Sequence, residues 1–362
     1  MLKRKNSSRV DELRALAGRA AAAALTTAPG HASAVLDAAE KLNTFADTLE
    51  RKDRLSAVVP AVITLPVNAT AEELRTARRR QSTKRGTEVY LPSWSAMAQG
   101  LPNAFFRSAL FSAGRSVQAG NDLVLEGDQT RLVANKEIAT FQNTTLSFSG
   151  YELCQFDRQV YSACLDYYRE TPLVPEACPR NVRTTFYAFA KKMGSEYSTT
   201  LHKALKASLL RLSFAQMRMR VNRFNLEVPK LLSLSFEDGV TAGDYSGSDM
   251  LLLRVTESVA ELFGPGAWTA VESAAVDYDG LKGWLASFYA SHSGSQWLPV
   301  ETLYRLTGYG ASLRDFKKRL KSALDKLKHE STPECSRVAE WHLTQDETRV
   351  LVIRAAWGLR RL

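Results

Sequence analysis

The spacing of hydrophobic positions changes several times along the chain, and each change marks an element. Val10, Leu13, Leu16 and Ala17, then Val35, Leu36, Ala39, Leu42, Phe45 and Leu49, recur at helical spacing on either side of Ala28-Pro29-Gly30. They predict two amphipathic helices within residues 1–88. From about Thr87 the periods shorten: residues 105–111, 138–141 and 146–153 predict strands, with 142–145 as a turn. Residues 157–170 return to helical spacing through Val160, Tyr161, Cys164, Leu165 and Tyr168. That helix ends before Thr171-Pro172, where proline discourages continuation.

A longer pattern then occurs twice. Residues 183–193 predict a short helix broken by Gly194. Ser198 opens the next, with Leu201, Ala204, Leu205, Leu209 and Leu212 inward and Lys203 and Lys206 outward. Residues 214–226 alternate strictly, Met217, Met219 and Val221 on one side and Arg218 and Arg220 on the other, as a basic two-stranded ribbon. Residues 237–249, EDGVTAGDYSGSD, have the composition of an interdomain linker. After it come a strand over 250–255 and a helix over 277–290 with Leu281, Trp284, Leu285 and Phe288 inward.

In the second copy, a helix runs from Pro299 through Leu306, and Gly308 and Gly310 break it. Ser312 with Asp315 gives a Ser-x-x-acid cap for a helix that buries Leu313, Phe316, Leu320, Ala323, Leu324 and Leu327. Residues 338–343 and 348–353 predict a hairpin around Thr344-Gln345-Asp346-Glu347. Helix, turn, basic helix and ribbon, twice over, predict an α+β chain of two tandem winged-helix domains, 89–236 and 250–362. The linker 237–249 lies between them, and a helical, basic N-terminal extension, 1–88, precedes them.

Charge sharpens this. The 362 residues carry a formal net charge of +10, and half of that excess lies on one helix. From Ser312 to Lys328 seven basic residues (Arg314, Lys317, Lys318, Arg319, Lys321, Lys326, Lys328) face only Asp315 and Asp325. A polyanion is the expected partner, and concentration on discrete elements favours double-stranded DNA over a membrane surface. Ser312, Arg314 and Lys318, near the start of the second helix of a helix-turn-helix, are the candidate base readers. Lys317, Arg319 and Lys321 flank them as phosphate contacts. Arg218 and Arg220 on the ribbon, and Arg78, Arg79 and Arg80 in the run ELRTARRRQSTKRG, are further phosphate candidates. A solvated linker explains that run equally well. Lys203 and Lys206 are candidates too, but their helix also presents Ala207 and Leu210, which suits a protein interface as well as a groove.

Other chemistries find little purchase. No Gly-x4-Gly-Lys-Ser/Thr loop is present, and the histidines (31, 202, 292, 329, 342) form no His-x-His or His-x3-His pair. A non-enzymatic protein without cofactor or metal is expected. The four cysteines, Cys154, Cys164, Cys178 and Cys335, lack Cys-x-x-Cys spacing and read as free thiols. Tryptophans 268, 284, 297, 341 and 357 sit among apolar neighbours, as core or rim anchors. The N-terminus has the outline of a secretion signal, but Asp11, Glu12, Arg14 and Arg19 interrupt its apolar stretch, so a cytoplasmic, nucleoid-associated protein is expected.

Across residues 91–343 the order of several features resembles the TrfA-type plasmid replication initiators, within the wider group built from two winged helices. The features are Arg107-Ser108-Ala109-Leu110-Phe111, Ser149-Gly150-Tyr151-Glu152-Leu153, Thr171-Pro172, Phe186-Tyr187, and Pro299 to Leu324 with Glu301-Thr302 and Arg314-x-x-Lys317-Lys318. The resemblance implies a protein that binds direct repeats (iterons) at a plasmid origin, promotes opening of an adjacent AT-rich region and helps load the host replicative helicase. It also implies a monomer–dimer equilibrium, with monomers on the iterons. A sliding-clamp contact is a further implied partner, yet the nearest string, Leu231-Leu232-Ser233-Leu234-Ser235-Phe236, lacks the motif's glutamine. A winged-helix transcriptional repressor would use the same binding chemistry and remains the alternative.

Overall fold

The computed structural model describes residues 12–20, 22–23 and 89–355, except 93, 96–97, 115–131, 142–143, 174–180, 222–223, 229, 238–244, 265–266, 273–279, 293 and 335. The chain divides into two compact units, Met1–Ala77 and Arg78–Leu362. In the first, a helix α1 (12–20) buries Ala17 and half-buries Leu13 but leaves Leu16 47% exposed. The second expected helix there, and the basic run with Arg78, Arg79 and Arg80, lie outside the described residues.

The second unit repeats one topology. In its first copy a helix α3 (Gln155–Asp166) precedes strand β6 (Val182–Thr185), α4 (Phe186–Lys192), α5 (Thr199–Phe214), β9 (Ser233–Phe236) and β10 (Met250–Arg254). The strands form an antiparallel sheet in the order β6-β10-β9. In the second copy α6 (Gly280–Ala290) precedes β12 (Trp297–Pro299), α7 (Val300–Thr307), α8 (Leu313–Lys328), β13 (Val338–Leu343) and β14 (Arg349–Arg354), in the order β12-β14-β13.

Local chemistry sets the turns. Ser198 Oγ accepts from Leu201 N–H at 3.1 Å and Ser312 Oγ from Asp315 N–H at 3.2 Å, each satisfying an orphan donor of the following helix. Gly194 (φ 76°) and Gly308 (φ 59°) turn the chain in the left-handed region. Each glycine and serine of the second copy follows its counterpart by 114 positions, so the two helix-turn-helices are in register.

Several expectations need correction. Residues 105–111 do not form one strand: Asn103–Phe106 make a helical turn, α2, and only Phe111–Ser112 pair, as β2, with β5 (Leu153–Cys154). An alternating strand could not bury Phe105 and Phe106 together, and both are 1% exposed. The ribbon of Met217 and Met219 does form, as β7 (Gln216–Val221) and β8 (Phe224–Val228), but it is not the first copy's terminal hairpin. β7 pairs with β4 (Thr144–Tyr151), and β3 (Leu132–Ile138) completes a sheet in the order β3-β4-β7-β8. Leu146, Phe148 and Met217 share its buried face. The strands on either side of 237–249, expected to belong to two domains, lie in one sheet. Glu237 N–H donates to Met250 O at 2.9 Å, and β10 lies between β6 and β9 with Leu251 and Leu253 fully buried in the first core. The strand expected to open the second domain closes the first.

Two hydrophobic cores result, one under each copy. Segment 103–113, which follows strand β1 (Ala98–Pro102, paired with β11, Trp268–Glu272), joins them. Phe105, Phe106, Leu110 and Phe111 belong to the first core and Ala113 to the second, where its N–H donates to Thr307 O at 2.7 Å. Trp284 Nε1 donates to Ser108 O at 3.4 Å. Arg107 Nε donates to Ser291 Oγ (2.9 Å) and Arg354 Nη1 to Tyr289 O (3.2 Å), so two arginines close the C-terminal end of α6. A Cβ at Gly308 would meet the Ser112 Cβ at 3.0 Å, so the turn of the second copy is seated against this joint.

The string Leu231 to Phe236 is packed in the first core, with Leu231 and Leu232 fully buried ahead of β9. Cys154 and Cys164 are free buried thiols, and burial pushes both up, Cys154 to about 12. Among the described residues no helix is long and apolar enough to cross a membrane.

One buried ion pair ties α3 to α5. Asp157 Oδ1 accepts from Arg211 Nη2 at 2.7 Å and from its Nε at 3.1 Å, while Asp157 Oδ2 accepts from Cys154 N–H. Removing one partner strands the other charge, so Arg211→Ala is expected to cost about 3–5 kcal/mol in urea denaturation. Lys321→Ala, which removes the solvent-exposed pair with Glu347, should leave the urea midpoint nearly unchanged.

Candidate nucleic-acid interface

Helix α8 buries Phe316, Leu320, Ala323, Leu324 and Leu327, with Leu313 half-buried. Because these positions face the core against α6, the i, i+4 row Arg314, Lys318, Ser322 and Lys326 is forced outward, and all four are exposed. Among the described residues the side chains of Arg314, Lys318 and Arg319 make no hydrogen bond or ion pair. Their charge is available to an external anion.

The other expected contacts of this helix are already engaged. Ser312 is the cap itself: besides accepting from Asp315 N–H, its hydroxyl donates to Asp315 Oδ2 at 2.7 Å. It therefore sets the helix start, and Asp315 places a carboxylate where the helix dipole favours one. Lys321 donates to Glu347 Oε1, across to the β13–β14 turn. Lys317 is half-buried, and its charge also acts on Glu347, whose pKa is lowered first by the Lys321 bond.

The β13–β14 hairpin is a buttress with a negative tip. Asp346 accepts from Thr344 Oγ1 (2.5 Å), Thr348 Oγ1 (2.8 Å) and Thr348 N–H (3.2 Å), which holds its carboxyl down at about 2. Trp341 Nε1 donates to Asp325 Oδ1 at 3.0 Å, tying the hairpin to α8 a second time. With Asp346 and Glu347 at the tip, a phosphate backbone is repelled on that flank. The open approach is the side of Arg314, Lys318 and Ser322. The acidity of the turn is legible in Asp346-Glu347; its pairing with Lys321 is not.

The first copy presents its second helix differently. Lys203 and Lys206 are half-buried, with Nζ over the Tyr245 ring at 5.4 and 5.8 Å, and Lys206 also lies over Phe236 at 4.8 Å. His202 is buried between Phe186 (3.8 Å between centroids) and Tyr245 (4.9 Å), and its Nδ1 meets Tyr197 Oη at 3.1 Å. Residues of the β9–β10 hairpin thus cover the outer face of α5. Arg218 and Arg220 are exposed on the four-stranded sheet, where Arg218 pairs with Glu227 at 3.1 Å. The structure brings Ser312, Arg314, Lys317, Lys318, Arg319 and Lys321 onto one helix, and places Lys203, Lys206, Arg218 and Arg220 on other elements.

No protein-family model matches the chain, and no curated protein matches it. Among solved structures, domains 2 and 3 of RctB, as a selenomethionine derivative, are similar with a TM-score of 0.41 at 11% identity, covering 67% of this chain and 97% of that one. A second structure of RctB domains 2–3 gives a TM-score of 0.33 at 11% identity, over 64% of this chain and 94% of that one. Likeness at this distance is too loose to carry function from one chain to the other.

The cap on α8 can be tested alone. Ser312→Ala removes the acceptor for Asp315 N–H and should destabilise the second copy by about 0.5–2 kcal/mol. Amide exchange should accelerate in the first turn of α8 and not in α5. Unchanged exchange there would remove Ser312 from the capping role.

Proposed function

We propose that both copies are winged helices and that the chain binds double-stranded DNA through α8. In this reading Arg314 and Lys318 meet base edges while Lys317 and Arg319 hold phosphates. The observation that carries the reading is the exposed row of cations, without internal partners, on the second helix of a capped helix-turn-helix. Such a helix places its N-terminal residues in the major groove, where an arginine makes a bidentate contact to guanine worth about 1–3 kcal/mol of discrimination. Lys321 is then a weaker phosphate ligand than its neighbours, since Glu347 competes for it.

The further step, a non-enzymatic plasmid replication initiator, is supported by the sequence resemblance across residues 91–343. The protein would bind direct repeats at an origin, favour melting of the AT-rich stretch beside them and present that stretch to the host replicative helicase. The first copy, with its helix face covered by Tyr245 and Phe236, would supply protein contact and accessory DNA contact rather than the main reading surface. Residues 1–88 would add a basic arm.

Arg314→Ala should lower discrimination between the cognate repeat and random duplex by about 1–3 kcal/mol. Arg319→Ala should weaken both about equally and reduce the salt slope by roughly one unit. Equal losses on the two duplexes for Arg314→Ala would take it out of base reading. On the replicon's own origin, permanganate reactivity should appear in the AT-rich stretch when the protein is bound. Bound repeats without such reactivity would favour the repressor.

A further inference from the structure

The row on α8 continues past the residues assigned to DNA above. Arg314, Lys318, Ser322 and Lys326 stand every four positions, and at ~1.5 Å per residue the row runs ~18 Å. The major groove is only ~12 Å wide. A helix that crosses the groove with its first turns among base edges meets a backbone strand with its last turns. The C-terminal end of a recognition helix contacts the backbone in this way in homeodomains.

At that end of α8 the surface is concave. A shallow cleft of about 570 Å³, mostly open to solvent, lies between α8 and the start of α6, lined by Lys282, Ser322, Asp325, Lys326, His329 and Ser331. Lys282 and Lys326, one from each helix, face the same space, and burial together with the Lys326 charge lowers the Lys282 pKa. An anion placed between two lysines is attracted by both. The other walls supply donors. Ser331 N–H donates to His329 Nδ1 at 3.2 Å, which leaves Nε2 as the proton-bearing nitrogen of the neutral ring. Among the described lining residues the carboxylate is Asp325, and it accepts from Trp341 Nε1.

We infer that this cleft is a phosphate-binding subsite: Lys282, Lys326 and His329 hold a backbone phosphate of the same DNA that Arg314 and Lys318 read. The inference rests on the proposed DNA-binding role of α8 and adds to it a clamp contributed by the other helix. It also gives the duplex a direction across the protein, along the row toward α6 and away from the acidic turn at Asp346 and Glu347.

The test is a salt titration of the full chain on random-sequence duplex, comparing wild type with Lys282→Ala/Lys326→Ala and with Lys326→Glu alone. Lys326 is exposed, so the second variant keeps the fold even if the first does not, and circular dichroism checks both. The expected result is several-fold weaker binding at physiological salt for each variant. The slope of log K against log salt should fall by roughly one to two units for the double variant, at ~0.9 per phosphate contact. An unchanged slope with normal wild-type binding would overturn the subsite and leave the reading of α8 intact. Wild type that binds no duplex at any salt would overturn that reading, and the subsite with it. A parallel titration with inorganic phosphate, followed by the His329 ring resonances, separates sources. Saturation by phosphate with an unchanged DNA slope would assign the cleft to a small anion and contradict the inference.

Discussion

Burial of the apolar stripe of α8 is the constraint on which the rest depends. Phe316, Leu320, Ala323, Leu324 and Leu327 pack into the second core with α6, and each large side chain so buried contributes about 1.5–3 kcal/mol. No surface ion pair available to this helix approaches that, since exposed pairs yield at most about 1 kcal/mol. The stripe therefore fixes the helix's rotation, and the rotation fixes which cations face solvent. Arg314 and Lys318 point outward because the core leaves them no alternative. Net positive charge on the remaining surface is then a cost to the isolated protein that an external polyanion would offset.

The two copies share a backbone plan and diverge in what covers the second helix. In the second, the hairpin touches α8 along one flank, through Lys321–Glu347 and Trp341–Asp325, and leaves the row beside it open. In the first, Tyr245 and Phe236 lie across the lysines of α5, and aromatic faces attract those cations about as strongly as an exposed ion pair would. The same scaffold thus yields one open basic face and one closed one. The joint at 103–113, with Arg107 and Arg354 closing the end of α6 and Ser112 against Gly308, holds the second copy's turn against the first copy's leading segment.

What could be read from the sequence was what is local. Ser198, Ser312 and Gly308 act within one turn of their own positions, so both helix-turn-helices, the stripe of α8 and the 338–343 strand emerge from spacing alone. The errors are of partner choice and, at 105–106 and at 183–185, which is strand rather than helix, of element type. Alternation in 214–226 identified a ribbon but could not say that Thr144–Tyr151 would pair with it. The glycines and acids of 237–249 do not say which sheet the next strand joins; Met250–Arg254 pairs back to Val182–Thr185. Phe105-Phe106 lost its strand because two adjacent aromatics both needed burial. Among site residues, Arg314 and Lys318 were legible from charge and period. The engagement of Lys321 by Glu347 and the meeting of Lys282 with Lys326 depend on tertiary packing that no spacing encodes.

The most direct measurement is amide hydrogen exchange of the full chain with and without random-sequence duplex at low salt. If the open face of α8 is where DNA binds, exchange slows over residues 312–326 and stays unchanged over 199–214, where Tyr245 and Phe236 already cover the helix. Slowed exchange over 199–214 with none at 312–326 would contradict it.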